Sequence, residues 1–286
     1  MSDLDDLRAA VRGFLEKQAP LGTADPQVWN RLVDELGLVA LAQEEQPLPL
    51  VCGVLEETGR VLLQAPYLPT VVAALGVGDL VSGKVALALD GDLSQVAHAR
   101  DADALLVADG DDLLVVKDFT ATPVEVLDAT RPRASVRLGP GRSIGSPDHT
   151  RDLEWLALAA ESVGAAQRLL EMTVEHLLTR EQFGRPLGSF QALRHRVADL
   201  TVLLEGATSS VWCAARSEQL PVDAPLALAL ASDAFVEIAG AAIQLHGGIG
   251  FTWEHDVHLF FKRAWTTALL HDSRALRRLA FERSGR

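Results

Sequence analysis

The sequence is poor in cysteine and in positive charge, and each shortage removes a class of protein. There are two cysteines, Cys52 and Cys213, each in an apolar run and without C-x-x-C spacing. That leaves no disulfide framework or zinc ligand set to build, so the reducing cytoplasm is the expected compartment. Lys and Arg number 26 against 39 Asp and Glu, a net charge of −13, which argues against sequence-independent nucleic-acid binding. Arg180, Arg185, Arg194 and Arg196 cluster against that trend, so a local basic pocket stays open. The opening MSDLDDLRAA has no charged-then-apolar leader pattern. Charges interrupt the apolar runs before the roughly 18 residues of a membrane span, so no membrane association is expected. What is there is 286 residues with 48% hydrophobic side chains, enough for one large or two ordinary soluble domains.

Three zones separate by hydrophobic period: 1–79, 80–148 and 149–286. The first is helical. Leu4, Leu7, Val11, Phe14 and Leu15 form one stripe, and Val28, Trp29, Leu32, Val33 and Leu36 another. Asp25-Pro26 reads as a cap with proline at the first helical position, and Gly37 as the stop. A third helix is expected over 50–63. The second zone holds short apolar runs broken by Asp-Gly pairs, a hairpin signal, and predicts a small antiparallel β domain. In DDLLVVKDF both faces are apolar at the centre, which points to a packed strand. The third zone predicts long helices over 151–180, 189–220 and 223–246, joined by short connections as in a four-helix bundle. The order of helices, then strands, then helices gives an α+β fold of segregated elements. No internal repeat or low-complexity segment is present.

Two stretches carry candidate chemistry. In REQFGRPLGSFQALRHRVADL, residues 180–200, arginines flank the start of a helix, where outward-pointing backbone N–H groups attract anions. In QLHGGIGFTWEHD, residues 244–256, Gly247, Gly248 and Gly250 follow a long helix and permit positive φ or close approach of a ligand. A solvated helical hairpin and a helix C-terminus explain the same residues without any ligand.

Together the two stretches resemble the signatures of the acyl-CoA dehydrogenase family, R-x-x-FG-x-x-x-x-x-FQ followed by His-x-x-AD, and Q-x-x-GG-x-G-(F/Y), about fifty residues apart. VWNRLVDELGL is similar to the family's N-terminal W-x-x-L-x-x-x-G helix. The resemblance covers the whole chain, most strongly its last 135 residues or so. It implies an N-terminal helical domain, a middle β domain, a C-terminal four-helix bundle, and FAD held at a subunit interface. It assigns Arg180 to the FAD pyrophosphate, Gln191 to the adenosine region, and Gln244, Gly247, Gly248 and Gly250 to the ADP half of a flavin held mainly by a neighbouring subunit. Gln182 and Phe183 lie in the same signature and are counted with the cofactor contacts, although as residues Phe183 and Phe190 read as core anchors. Acyl-CoA is the implied substrate and an electron-transfer flavoprotein the usual acceptor.

The implied reaction removes an α proton while the β hydrogen leaves as hydride, and a buried carboxylate is the suitable base. At the family's common position, a Glu-Gly-Thr loop, this sequence reads His271-Asp272-Ser273. The less common position lies ten residues before a helix glycine, here Glu154 before Gly164 in DLEWLALAAESVG. Glu154 is therefore the first candidate base, with Asp272 and His271 as alternatives. Favourable interaction with a helix start accounts for Glu154 and Asp152 without any function. His195 and His246 read as packing or hydrogen-bonding groups, and Glu254 as exposed. No T-E-P-x-x-G-S-D segment is present in the middle zone, which suggests that another chain supplies part of the flavin site. Shortened relatives of actinobacterial steroid degradation pair as unlike subunits in a tetramer. The expectation is a catalytic subunit acting on the CoA thioester of a bulky acyl or steroid-derived group within a hetero- or homo-oligomer. A non-catalytic partner completing a homologous chain's FAD site, and a flavin monooxygenase, are the alternatives.

Overall fold

The computed structural model describes residues 3–21, 25–45 and 47–285. The chain begins with α1 (Asp3–Gln18) and α2 (Pro26–Asn30), which runs on as a wider π turn over Arg31–Glu35. As the sequence implies, the Asp25 carboxylate accepts from Gln27 N at 2.9 Å, and Gly37 ends the run at φ +61°. The helix expected over 50–63 is α3 (Pro47–Arg60). A further helix, α4 (Tyr67–Val77), has no counterpart in the periodicity, because Tyr67, Val71 and Val72 are buried and the apolar residues run right round it.

The strands are β1 (Val85–Ala88), β2 (Val96–Ala97), β3 (Ala104–Asp109), β4 (Asp112–Val116), β5 (Phe119–Val124), β6 (Arg133–Leu138) and β7 (Gly141–Ser143). They form two small sheets, ordered β1-β3-β4-β7 and β2-β6-β5. The expectation of an antiparallel domain needs one correction: β1 pairs with β3 in parallel, Val85 opposite Ala104. Asp109-Gly110 does make the expected hairpin between β3 and β4. Asp90-Gly91 instead sends the chain to the second sheet, and it returns through β2 and His98, whose φ is +56°. Such a crossover brings the chain back in the same direction. β4 is packed on both faces. Leu113 and Val115 join the main core, and Leu114 and Val116 face the space between the sheets.

The C-terminal part comprises α5 (Asp148–Thr179), α6 (Gln191–Ala214), α7 (Leu220–His246), α8 (Val257–Leu270) and α9 (Ser273–Arg283). By length and composition the segment Leu220–Phe251, containing α7, would suffice to cross a membrane, which corrects the expectation that charge interrupts every apolar run early. Most of its apolar window is buried at the centre of the bundle.

α5 organises the whole. It crosses α3 so closely that a methyl on Gly164 would collide with the Glu56 carbonyl, and one on Gly59 with the Glu161 carbonyl. Its acidic side chains then reach the neighbours. Glu171 takes a two-pronged bond from Arg60 on α3 (3.0 and 2.6 Å), and Asp152 accepts from Arg283 on α9 (2.7 Å). Glu161 pairs with Arg131 of the β domain and lies 3.3 Å from Arg263 Nη1 on α8. Arg263 also donates to Asp128 (2.6 Å) and Thr130 (2.7 Å), closing a buried network across three parts of the chain.

Gly164→Ala should cost about 3 kcal/mol or more, because two backbones must separate rather than a side chain turn. Gly206→Ala on α6, where an added methyl meets nothing within 4 Å, serves as the control. Urea denaturation of the two variants checks this.

Candidate functional site

A cavity of about 370 Å³ lies where the three parts meet. The α3–α4 joint contributes Leu63 and Leu68, and β1 and the turn after it contribute Leu87, Leu89 and Asp90. α5 gives Glu154, Trp155 and Leu158, and the start of α9 gives Leu276. Apolar walls of this kind with a few converging polar groups suit an acyl chain with a reactive centre.

Glu154 is half-buried in this wall, and burial pushes its carboxyl up to about 7, with a smaller contribution from Asp90. Every other acidic residue of α5 has an arginine. Asp148 pairs with Arg151 and Glu175 with Arg168, besides the three pairs above. Glu154 has neither an ion pair nor a hydrogen bond among the described residues. A carboxylate without an ion pair, tuned near neutrality, is suited to accept and return a proton. His271 also lines the cavity, but burial and then Arg131 and Arg133 hold it down at about 4, which makes it a weak base. Asp272 is exposed and caps α9, accepting from Arg274 N at 2.9 Å. Asp152 is held by Arg283, and Glu254 is exposed as expected.

The two signature stretches lie together at the far end of α5. Glu181–Gln182 and Arg185–Pro186 form a tiny hairpin, β8 and β9, whose tip is Phe183-Gly184 with φ of +56° and +77°. Two positive φ values in a two-residue loop match the strand twist. Phe183 is 89% exposed, so it is no core anchor within this chain; at the loop tip it meets the Phe190 ring edge-on, with centroids 6.1 Å apart, and stays largely open. Phe190 is half-buried, 4.0 Å beneath the Arg185 guanidinium. Arg180, Gln182 and Gln191 are exposed, and α6 starts with no side-chain cap on its free N–H groups.

The glycine turn abuts this hairpin through histidines. His176 of α5 stacks on His246 at 4.4 Å, and His255 follows at 4.6 Å from His246. His246 is buried, its Nδ1–H donates to the Ala242 carbonyl (2.8 Å), and burial holds it near 4. It is the packing group the sequence implied, whereas His195 is exposed. Gly247 closes α7 at φ +63°. Gln244 and Gly248 are exposed, and a methyl on Gly248 would meet nothing of this chain. Gly250 is buried against the Ile243 carbonyl and holds the turn in shape, so it presents no open surface.

Sequence reasoning did not single out His98, Asp128, Arg131, Arg133 or Glu161. The stretch DATRPR reads as a charged turn, and only the fold brings it under α5 and α8.

A family model described as acyl-CoA dehydrogenase, C-terminal domain, matches residues 149–272. Acyl-CoA dehydrogenase IpdE2 of Mycolicibacterium smegmatis is 39% identical over 276 residues, covering 91% of this chain and 88% of that protein. The chain belongs to the acyl-CoA dehydrogenase family. IpdE2 of Mycobacterium tuberculosis is 37% identical, covering 90% of this chain and 87% of its own. A solved structure described as the Tcur3481-Tcur3483 steroid ACAD G363A variant superposes with a TM-score of 0.85 at 25% identity, over 99% of this chain and 98% of that one. As an acyl-CoA dehydrogenase the chain is an oxidoreductase with FAD as its cofactor. The open face at the end of the bundle fits such a group. It offers uncapped amides, two exposed arginines, and a glycine with free space above it.

Glu154 also makes a pH signature. Its carboxyl titrates near 7 in the folded chain against 4.5 for a free glutamate. Between those values the folded state holds the extra proton, so stability falls as pH rises through the window. Glu154→Gln should therefore melt close to the parent at pH 4.5, gain on it up to about pH 7, and keep a constant lead above. Thermal melts across that range check it.

Proposed function

We propose that this chain is a subunit of an FAD-dependent dehydrogenase that places an α,β double bond in the CoA thioester of a bulky, steroid-derived acid, with Glu154 as the base. One observation carries the reading: Glu154 is the one acidic residue of α5 left without an ion pair, and it lines the cavity. The cavity's apolar walls hold the acyl group and exclude water, and the Glu154 carboxylate takes the α proton. FAD, when bound, supplies the two-electron oxidant that accepts the β hydrogen as hydride. Arg180 and Gln191 at the hairpin, with Gln244, Gly247 and Gly248 at the glycine turn, are the residues that would contact the ADP half; Gly250 supports their shape. The substrate class and a pairing of unlike chains are supported by the steroid description of the Tcur3481-Tcur3483 structure.

Geometry supports an assembly. Glu154 and Arg180 are separated by most of a 32-residue helix, about 40 Å at ~1.5 Å per residue, too far for one dinucleotide to touch both. The hairpin end of one chain therefore serves the cavity of another. The exposed Phe183, Phe251 and Trp253 at that end suit burial against a second, homologous subunit.

The same separation favours a second reading, in which the chain completes a partner's FAD site and does no chemistry itself. Co-expression with a homologous chain decides between the two. Glu154→Gln in the yellow complex should keep the flavin spectrum and lose about 10²–10⁴-fold in turnover. Full turnover with Glu154→Gln would assign the chemistry to the partner.

A further inference from the structure

The β-domain wall of the cavity carries two buried nitrogens without a hydrogen-bond partner among the described residues. Arg133, at the start of β6, gives Nη1 to the Gln95 carbonyl at 2.7 Å, while its buried Nε has no partner. His98 is 6% exposed and its Nδ1 is likewise unpartnered. Both residues line the cavity. Buried polar groups of this kind are satisfied in the great majority of proteins, so two in one cavity call for a ligand atom.

Charge points the same way. Arg131, Arg133 and Arg263 meet two buried carboxylates, Asp128 and Glu161, and both of those engage Arg131 or Arg263. Arg133 is the cation of this cluster without an ion pair among the described residues; of the further carboxylates that act on it or that it acts on, Asp90 is exposed at the cavity rim and Glu154 is the base itself, in the same cavity. A desolvated guanidinium with a free N–H is a strong receptor for an acceptor oxygen. An alkyl chain would leave that N–H and the His98 nitrogen buried and unsatisfied, which disfavours it.

Resting on the proposed dehydrogenase reading, we propose that Arg133, flanked by His98, receives an oxygen carried by the acyl group itself, so that the cavity selects ketone- or carboxylate-bearing acyl thioesters over purely alkyl ones. The experiment uses the flavin-loaded complex with three probes: cyclohexylpropanoyl-CoA, its ring-ketone analogue and its ring-carboxylate analogue. The parent complex should prefer an oxygenated probe by about tenfold or more in kcat/KM. Arg133→Met should lower kcat/KM for that probe about ten- to a hundredfold more than for the alkyl one, and Arg133→Lys should restore part of the difference. A larger effect with the carboxylate identifies an ion pair, and equal effects a neutral acceptor. Equal activity of the parent on all three probes, or equal losses in Arg133→Met, overturns the inference. Calorimetric binding of the same thioesters to the Glu154→Gln complex reads recognition without turnover. No preference there overturns this inference, whereas preferential binding combined with no turnover in the parent overturns the dehydrogenase reading and leaves this one standing.

Discussion

Two helices touch backbone to backbone at Gly59 and Gly164, and that contact sets the distances in the rest of the molecule. Glycine is required there by sterics rather than by φ, since any Cβ would meet a neighbouring carbonyl. With α3 and α5 locked together, the position of every side chain along α5 is determined. Glu154 and Glu161 lie two turns apart on one face, so the same face that anchors the β domain also lines the cavity.

The anchor is electrostatic as well as apolar. Burying Asp128, Glu161, Arg131 and Arg263 together carries a desolvation cost of several kcal/mol per ion, offset only where geometry and extra hydrogen bonds are good. Thr130 supplies one such bond to Arg263. Removing a single partner would leave a buried charge, typically a loss of about 3–5 kcal/mol. Against this background Glu154 differs from its neighbours in one respect, the lack of an ion pair. That same lack costs stability above neutrality and makes the group useful as a base. Activity and stability pull in opposite directions at this residue, as is common where a site needs a displaced pKa.

The polar groups divide between the two ends of α5. At one end they turn inward, into a cavity closed by three parts of the chain. At the other they turn outward, on a two-residue hairpin loop and an open glycine turn. A residue such as Phe183, at positive φ and almost fully exposed, is poorly accounted for by a single chain. Its conformation and exposure suit a surface completed by a neighbour, and the separation of the two ends supports the reading of one chain's hairpin serving another's cavity.

The sequence alone determined the segregated α+β order, the main bundle helices to within a few residues at most ends, the Asp25 cap, the Gly37 stop and the Asp109-Gly110 hairpin, because each depends on local periodicity or local φ. Glu154 was singled out by the resemblance to the family, which places a carboxylate ten residues before a helix glycine, here Gly164. The all-round apolar α4, the parallel β1–β3 pair and the outward Phe183 were not legible, since burial on every side, a crossover through a second sheet and the absence of a covering element are not local properties. Only the tertiary structure decided which carboxylate lacks a cation and which arginine lacks an anion. The stretch 128–133, Glu161 and Arg263 are distant from one another in the chain, and their charges balance or fail to balance only once folding removes them from water.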